Sequence, residues 1–314
     1  DDTLNGGTEN DLLWGGEGAD TLNGDNGNDE LTGGPGNDTL NGGVGNDRIF
    51  FNVGDGQDIV NHYDASGSAT NYTDSLVFGE GLTFNNINLI KNANNLIITF
   101  DSIEDQVTIP NWFSHRYHQL DNFEFGNGDV YSAADLFLAL PVFSYGNESN
   151  NNISGYTGVD HIYGYAGNDS LSGLADEDIL YGGLGNDTLS GGTENDQLLG
   201  GEGVDTLNGD NGNDELTGGP GNDTLNGGVG NDRIFFNVGD GQDVVNHYDS
   251  SSSSLFYIDA LVFGLEISIN NVTVHKSSND LIIKLNGKED QVRFPNWFSH
   301  RYHQIDHFEF ADGS

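Results

Sequence analysis

The chain contains no cysteine and no methionine, and basic residues are scarce. Its 314 residues include 9 Lys and Arg against 50 Asp and Glu, which gives a formal net charge of −41. Without cysteine, disulfides cannot stabilise the fold. Nucleic acid and anionic membrane surfaces are disfavoured as partners, because both require a cationic face. No apolar run approaches the length of a transmembrane segment, and no signal peptide is visible.

Glycine and aspartate are abundant, and they recur with a period of nine residues. Units such as GGPGNDTLN at 33–41 place an Asp two residues before a large aliphatic residue. The alternative interpretation of such an acidic, glycine-rich sequence is a disordered linker. A linker would not need leucines at a fixed position in every unit, so this alternative is disfavoured. Short-period self-similarity predicts a solenoid. The aspartates in phase are Asp2, Asp11, Asp20, Asp29, Asp38, Asp47, Asp160, Asp169, Asp178, Asp187, Asp196, Asp205, Asp214, Asp223 and Asp232.

A longer repeat relates two tandem cassettes, since Trp112 recurs as Trp297 and Phe125 recurs as Phe310 at the same spacing. We predict a first repeat block at 1–60, a β-rich flanking or capping domain at 61–145, a longer repeat block at 146–245, and a shorter flanking domain at 246–314. Trp14 is leucine in the other copy, so it is predicted to lie at the surface. The chain opens in mid-pattern, and we expect it to be a fragment of a longer protein.

The sequence pattern of the flanking blocks indicates β-strands. Thr99 is replaced by Lys284 in the second copy, whereas its neighbours Ile98 and Phe100 stay apolar. Such alternation is typical of half-buried strands. One short helix is predicted near 133–140, with Ser132 as its N-cap and Pro141 after its end.

The nonapeptides should not fold without a cation. Each unit buries one aliphatic side chain against the conformational entropy of nine residues, and stacking the units aligns aspartates that repel each other. Calcium removes the repulsion, because it takes six to eight oxygen ligands from carboxylates and backbone carbonyls. Glycines allow the turn to direct several carbonyls inward.

The pattern GGxGxDx(aliphatic)x resembles the RTX, or haemolysin-type calcium-binding, family. The resemblance implies an all-β fold: a right-handed parallel β-roll with two nonapeptides per coil, alternating with small β-rich capping domains. Each ion would lie between aspartates of turns eighteen residues apart, such as Asp11 and Asp29. We expect about a dozen calcium ions. Irregular units, among them one with Asn151 in place of Asp, would form weaker sites.

The resemblance also implies a ligand set. The GDGQD sequences at the block ends add Asp58 and Asp243 to the aspartates given above. The carbonyl ligands would come from the first four positions of the motif: Gly15, Gly16, Glu17, Gly18, Gly24, Asn26, Gly27, Gly33, Gly34, Pro35, Gly36, Gly182, Gly183, Leu184, Gly185, Gly200, Gly201, Glu202, Gly203, Gly209, Asn211, Gly212, Gly218, Gly219, Pro220 and Gly221.

The segment PNWFSHRYHQ occurs at 110–119 and again at 295–304. It admits three interpretations: a structural cap for the open end of the roll, a partner-contact surface, or a catalytic site using His115 and His118. If the segment is a strand, residues three apart point to opposite faces, which disfavours a shared metal ion. No HExxH or GxSxG motif is present. The structural interpretation is preferred, with His62 and His247 as further capping contacts.

The resemblance implies a secreted calcium-binding module of a large bacterial toxin or exoprotein. It would be unfolded in low calcium and would fold after export by type I secretion machinery. A calcium-rigidified spacer or binding region of a surface adhesin is the alternative, with a possible host-cell receptor reached through the parent protein. An ice-binding roll is disfavoured, because the third motif position shows no row of threonines. We expect no enzymatic activity in this chain.

Overall fold

The fold is described from a computed structural model. It covers residues 1–62, 72–101, 103–114, 116–247, 259–299, 304–311 and 313. The chain divides into two compact units, Asp1–Phe143 and Ser144–Ser314, and each is considered by itself. None of the described helices is long and apolar enough to cross a membrane.

Unit 1 is built almost entirely from short strands. Short 3-10 turns lie at Phe84–Asn86 and Arg116–His118. The strands and the helix are β1 Thr3–Gly7, β2 Leu12–Trp14, β3 Thr21–Asp25, β4 Glu30–Thr32, β5 Thr39–Asn41, β6 Arg48–Phe51, β7 Gln57–Asn61, β8 Ser75–Phe78, β9 Ile87–Asn92, β10 Asn95–Phe100, β11 Gln106–Ile109, β12 Asn122–Glu124, β13 Val130–Ser132 and α1 Ala133–Ala139.

Unit 2 repeats this organisation with a longer run of coils. A 3-10 turn lies at Ile269–Asn271, and β14 begins two residues before the unit boundary. The strands are β14 Val142–Asn147, β15 Asn152–Ser154, β16 Asp160–Ala166, β17 Ser170–Ala175, β18 Ile179–Leu184, β19 Thr188–Thr193, β20 Gln197–Glu202, β21 Thr206–Asn211, β22 Glu215–Thr217, β23 Thr224–Val229, β24 Arg233–Phe236, β25 Gln242–Asn246, β26 Ala260–Phe263, β27 Val272–Ser277, β28 Asp280–Leu285, β29 Gln291–Phe294 and β30 His307–Glu309.

The nonapeptides form a parallel β-roll with two units per coil. Leu22 pairs with Leu40, and Leu13 pairs with Leu31, so successive coils are eighteen residues apart. Each Thr-Leu-Asn-like triplet forms a strand with its central Leu inside, because side chains alternate between the faces of a strand. Leu189, for example, has no exposed surface. The all-β prediction and the parallel β-roll prediction are confirmed.

The parallel ladder continues beyond the nonapeptides into the flanking block. β7 pairs in parallel with β11, and β8 pairs in parallel with β12. A meander of β9, β10 and β11 then turns the sheet antiparallel. The boundary predicted near residue 61 stays a prediction, but the hydrogen-bonded sheet runs across it.

The alternation predicted for the flanking strands is confirmed. Leu96, Ile98 and Phe100 are buried, while Lys284 is exposed on the equivalent strand of unit 2. The predicted helix is present as α1, and the Ser132 hydroxyl caps it by accepting the Asp135 N–H at 3.2 Å.

Trp112 anchors the flanking block of unit 1. Its ring is 1 % exposed and stacks on Phe137, with centroids 5.6 Å apart. Trp297 is only half-buried and packs against Phe294 and Phe308.

We therefore expect Trp112→Ala to destabilise the calcium-loaded chain by about 3–5 kcal/mol, as is usual for a buried tryptophan. Trp297→Ala should have a smaller effect. Trp14 is 72 % exposed, as predicted, so Trp14→Ala is the control and should change stability by less than about 0.5 kcal/mol. Denaturant unfolding in calcium measures all three. Equal effects of the two flanking-block variants would contradict this assignment.

Candidate metal centre

Hydrogen bonds between coils bring the predicted aspartate pairs together. The N–H of Asp187 donates to Oδ1 of Asp205 at 2.8 Å, and the N–H of Asp205 donates to Oδ1 of Asp223 at 2.8 Å. The bond recurs along both strand stacks, so each unit contains two continuous Asp rows. Asp58 joins its row twenty residues after its partner, which is the predicted shift of two residues.

The second carboxylate oxygen of these residues is buried without a hydrogen-bond partner. An ionised oxygen in this situation loses hydration and gains nothing in return. The Oδ2 atoms concerned belong to Asp11, Asp20, Asp29, Asp38, Asp47, Asp58, Asp169, Asp178, Asp187, Asp196, Asp205, Asp214, Asp223, Asp232 and Asp243.

Burial perturbs the titration of these carboxyls. Desolvation raises the pKa of Asp178 and Asp243 to about 8, and that of Asp196, Asp223 and Asp232 to about 7. The N–H bond from the preceding coil lowers each pKa, and neighbouring carboxylates raise it again. The ionised carboxylates of the rows are therefore destabilised by burial and mutual repulsion, and a bound positive charge would stabilise them.

A glycine lies beside each of these buried Oδ2 atoms except those of Asp58 and Asp243, and we call the space that it leaves open a glycine cradle. A methyl group at Gly200 would lie 2.5 Å from Oδ2 of Asp205 and 2.6 Å from the carbonyl oxygen of Gly218. A methyl at Gly182 would meet Oδ2 of Asp187 and the Gly200 carbonyl, each at 2.5 Å. A carboxylate and a carbonyl from successive coils thus converge where glycine keeps the space open. These are the hard oxygen donors that calcium prefers.

The predicted backbone ligands differ in their surroundings. The first-position carbonyl, as at Gly218, lies at the cradle. The third-position carbonyl of Pro220 accepts the Gly203 N–H at 3.0 Å, which still leaves one lone pair. The second-position and fourth-position carbonyls of Gly16 and Gly18 lie against glycine backbone of the next coil. The complete carbonyl set remains a prediction.

The aspartate side chains do not form a complete metal site by themselves. Among the described residues, no three His, Asp or Glu side chains are grouped so that they could hold a metal ion. This agrees with a site of paired aspartates completed by backbone carbonyls, as the nonapeptide pattern implies. The donor set fits calcium, whereas a transition-metal site would be expected to use imidazole or thiolate ligands.

Sequence reasoning missed two aspartates that extend the rows. The N–H of Asp47 donates to Oδ1 of Asp74 at 2.7 Å, and Nδ1 of His62 lies 3.5 Å from Oδ2 of Asp74. In unit 2, Nδ1 of His247 lies 2.8 Å from Oδ2 of Asp259. DSLVF and DALVF keep the Asp-x-Leu signal, but they stand outside the nonapeptide blocks, 27 residues after Asp47 and Asp232 instead of the eighteen of a regular coil. The histidines lie at the row ends, where capping contacts were predicted.

A ladder of asparagines was also missed. The N–H of Asn28 donates to Oδ1 of Asn10 at 2.9 Å, and the N–H of Asn46 donates to Oδ1 of Asn28 at 2.9 Å. The asparagine that precedes most of the Asp residues in phase supplies this acceptor, and the ladder faces solvent. It satisfies backbone donors at the turns, which explains the recurrent Asn-Asp pair.

The first coil of unit 2 departs from the pattern. Oδ1 of Asn151 accepts the Asn147 N–H at 2.8 Å, and Oδ2 of Asp160 accepts the Tyr156 N–H at 2.7 Å. Backbone donors within the same turn thus bond to the side-chain oxygens that would be free to bind a cation at the regular turns. The sequence predicted a weak site at Asn151, and this geometry gives the physical reason.

The segment PNWFSHRYHQ forms turns and a 3-10 helix at Arg116–His118 rather than a strand. Nδ1 of His118 lies 3.1 Å from the His62 carbonyl at the end of the roll. Glu124 pairs with Arg48 of the roll at 2.6 Å. His115 lies outside the described residues, as do residues 300–303 of the second copy. In the first copy, the segment thus contacts the end of the roll through His118.

Comparison with known proteins agrees with the site. The RTX calcium-binding nonapeptide repeat (4 copies) matches residues 1–31, 24–60, 145–180, 181–216 and 208–245. The haemolysin-type calcium binding protein related domain matches residues 95–135 and 280–314. No curated protein matches the chain.

One similar solved structure is that of the extracellular lipase LipA from Serratia marcescens. The similarity has a TM-score of 0.20 and 17 % identity, and covers 91 % of this chain and 36 % of the lipase. This chain therefore spans about a third of the lipase's length.

The nonapeptide matches alone cover more than half of the 314 residues. Together with the Asp rows and glycine cradles, they show that the chain belongs to the RTX calcium-binding nonapeptide repeat family and that its repeats are calcium-binding repeats.

Proposed function

We propose that this chain is a calcium-triggered folding module of a large secreted bacterial protein, such as a toxin or exoprotein. The observation that carries the proposal is the set of buried Oδ2 atoms that lack hydrogen-bond partners along the Asp rows. Such an array is unfavourable without cations. Intracellular calcium is far below the ~10⁻⁴–10⁻³ M affinity of extracellular modules, so the chain stays unfolded until it leaves the cell through type I secretion machinery.

The charge of the chain supports calcium as the trigger. A formal charge of −41 resists compaction by self-repulsion. About a dozen divalent ions would offset more than half of that charge. The module itself has no enzymatic role in this proposal, and the effector activity belongs to other parts of the parent protein.

Calcium titration of the chelator-treated chain tests the proposal. We expect little β-structure by far-ultraviolet circular dichroism in excess chelator, and a cooperative transition to the roll in the range of ~10⁻⁴–10⁻³ M calcium. Small-angle scattering should show compaction over the same range. Magnesium is the matched control, because it requires octahedral geometry and retains its waters. A chain that is equally compact and heat-resistant in chelator would refute the proposal.

A calcium-rigidified spacer in a surface adhesin is the second candidate. The near-identity of the two cassettes favours it. Each added copy lengthens a spacer, whereas one copy is enough for a calcium-triggered folding step. In a glycan array run with calcium, binding by this chain would indicate an adhesin binding region instead of a spacer.

A further inference from the structure

A groove of about 220 Å³ lies on the outer face of the roll in unit 2. It is lined by Gln197, Leu199, Glu215, Thr217 and Phe235. These residues belong to β20, β22 and β24, which are neighbours in one sheet, and β18 and β26 flank the three strands on either side. The groove is therefore bounded by coils of the roll itself.

A row of outward-facing side chains explains the position of the groove. Tyr163 and Tyr181 stack on neighbouring strands, with ring centroids 4.8 Å apart and an angle of 5° between the ring planes. The register continues this row through Leu199, Thr217 and Phe235. Threonine is the smallest side chain of the five. The row is therefore interrupted at Thr217, which forms the floor of the groove, and its two neighbours form the walls.

The walls are spaced for one flat ring. Leu199 and Phe235 stand on strands that are two spacings apart, which is roughly 9–10 Å. The tyrosine stack shows that a flat ring in this row occupies one strand spacing. A ring seated over Thr217 would therefore contact both walls, in the way that Tyr163 and Tyr181 contact each other.

Polar groups stand along one side of the groove. Gln197 lies opposite Glu215 in the register. The carboxylate of Glu215 lies 3.9 Å from Arg233, and the guanidinium of Arg233 lies 5.4 Å from the ring centroid of Phe235. The amide, the carboxylate and the hydroxyl of Thr217 offer both donors and acceptors. Since the arginine balances the carboxylate, the groove is close to neutral in a chain of charge −41.

This combination of groups selects among the classes of partner. A wholly apolar partner would leave the polar groups of the groove without hydrogen bonds. A peptide strand cannot add here, because β22 is already paired with β20 and β24 on both sides. Anionic partners and a second copy of this chain are repelled by the charge of −41. A neutral saccharide meets every requirement, since its ring has apolar C–H faces and a rim of hydroxyls.

We propose that this groove binds one ring of a neutral, glucose-type saccharide. The ring lies over Thr217 with its two faces against Leu199 and Phe235, and its hydroxyls bond to Gln197 and Glu215. All ring hydroxyls must be equatorial, because an axial hydroxyl would face an apolar wall without a partner. The inference gives the surface-adhesin candidate a ligand class and rests on that proposed function. For one ring, the Kd should be on the order of 1–10 mM.

Ligand-observed saturation-transfer NMR with methyl β-D-glucopyranoside tests the proposal in calcium. The full chain carries Thr32→Tyr in every measurement, which fills the equivalent position of unit 1, so that the groove of unit 2 is measured alone. Saturation should reach the axial protons on both faces of the sugar ring, because both walls contact it. Methyl β-D-galactopyranoside, with one axial hydroxyl, and the methyl glucuronide, with one negative charge, should each bind at least about threefold more weakly.

Variants of the chain separate the groove from other surfaces. Thr217→Tyr completes the aromatic row and should abolish the transfer, and the roll already accepts tyrosine at this position in neighbouring coils. Thr206→Tyr is the matched control, because it makes the same change on the outer face of the other sheet, and it should bind as the unaltered groove does. Gln197→Leu introduces the residue of unit 1 and should weaken binding about threefold or more. Circular dichroism in calcium verifies that the variants fold.

Three outcomes overturn the proposal: no saturation of the glucoside, transfer that Thr217→Tyr leaves unchanged, and equal binding of the galactoside. The folding of the chain in calcium is measured independently of the sugar. A chain that folds on addition of calcium but does not bind the glucoside refutes this inference and leaves the folding module in place. A chain that binds the glucoside but is equally folded in chelator refutes the folding module and leaves the groove in place.

Discussion

In chelator, the roll should lose stability as the pH rises from about 4 to about 8, whereas in saturating calcium it should gain stability over the same range. The free energy of unfolding should fall in chelator by about 1.4 kcal/mol per pH unit for each extra proton held by the folded state. Several carboxyls contribute together, so this is the largest solution effect that we expect.

The sign follows from the direction of the pKa shifts. Burial raises the pKa of Asp47, Asp205 and Asp214 to about 6, and that of Asp178 and Asp243 to about 8. In the unfolded chain these groups titrate near 4. Between these values the folded state binds more protons, so its stability is greatest at low pH and is lost as the pH passes through the folded pKa.

Calcium reverses the slope because it competes with protons for the same oxygens. Metal binding requires ionised carboxylates, so calcium affinity increases with pH. In chelator, where the chain is expected to be largely unfolded at neutral pH, the slope is measured from the fraction of folded roll by circular dichroism between pH 4 and pH 8. In calcium, it is measured by denaturant unfolding at pH 5, 6, 7 and 8. A stability that falls with pH equally in the two series would show that the carboxylates of the rows do not bind the ion.

The second large effect is expected from closing one cradle. Gly200→Ala places a methyl group 2.5 Å from Oδ2 of Asp205 and 2.6 Å from the Gly218 carbonyl. Overpacking of this kind costs about 1–3 kcal/mol, and the methyl also occupies the space between the two oxygens. Calorimetric titration should show one fewer calcium ion, and the calcium midpoint of folding should rise.

Unit 2 supplies a matched control for this substitution. A methyl at Gly146 would meet Oδ1 of Asn151 at 2.3 Å and the Gly164 carbonyl at 2.5 Å. The steric problem is the same, but the carboxylate is absent. Gly146→Ala should therefore lower stability without changing the number of ions bound. If both variants lose an ion, the cradles are not the calcium sites.

Much of the fold could be predicted from the sequence because the repeat is regular. The Asp-x-Leu spacing seen at Asp187 and Leu189 recurs every nine residues. With two units per coil, it predicted the coil length, the buried row of leucines and the pairing of aspartates eighteen residues apart. A residue two positions after each Asp must be buried if the strand is to cover the core. The helix at Ala133–Ala139 was readable from its Ser132 cap for the same reason: local chemistry specified it.

The ends of the Asp rows could not be predicted from the repeat. Asp74 follows Asp47 in the row after an interval of 27 residues, whereas the regular coils predict eighteen. The pairing of His62 with Asp74 depends on where the flanking block folds back onto the roll. Likewise, the 3-10 turn at His118 replaces the strand that was considered for this segment.

By itself, the sequence determined the β-roll, its period, the family and the residues available to bind calcium, because each depends on a local pattern repeated many times. Only the tertiary structure decided which carboxylate oxygens lack hydrogen-bond partners, where glycine keeps a cradle open, and where the rows end. Those properties arise from contacts between residues far apart in the chain, and a short period carries no information about them.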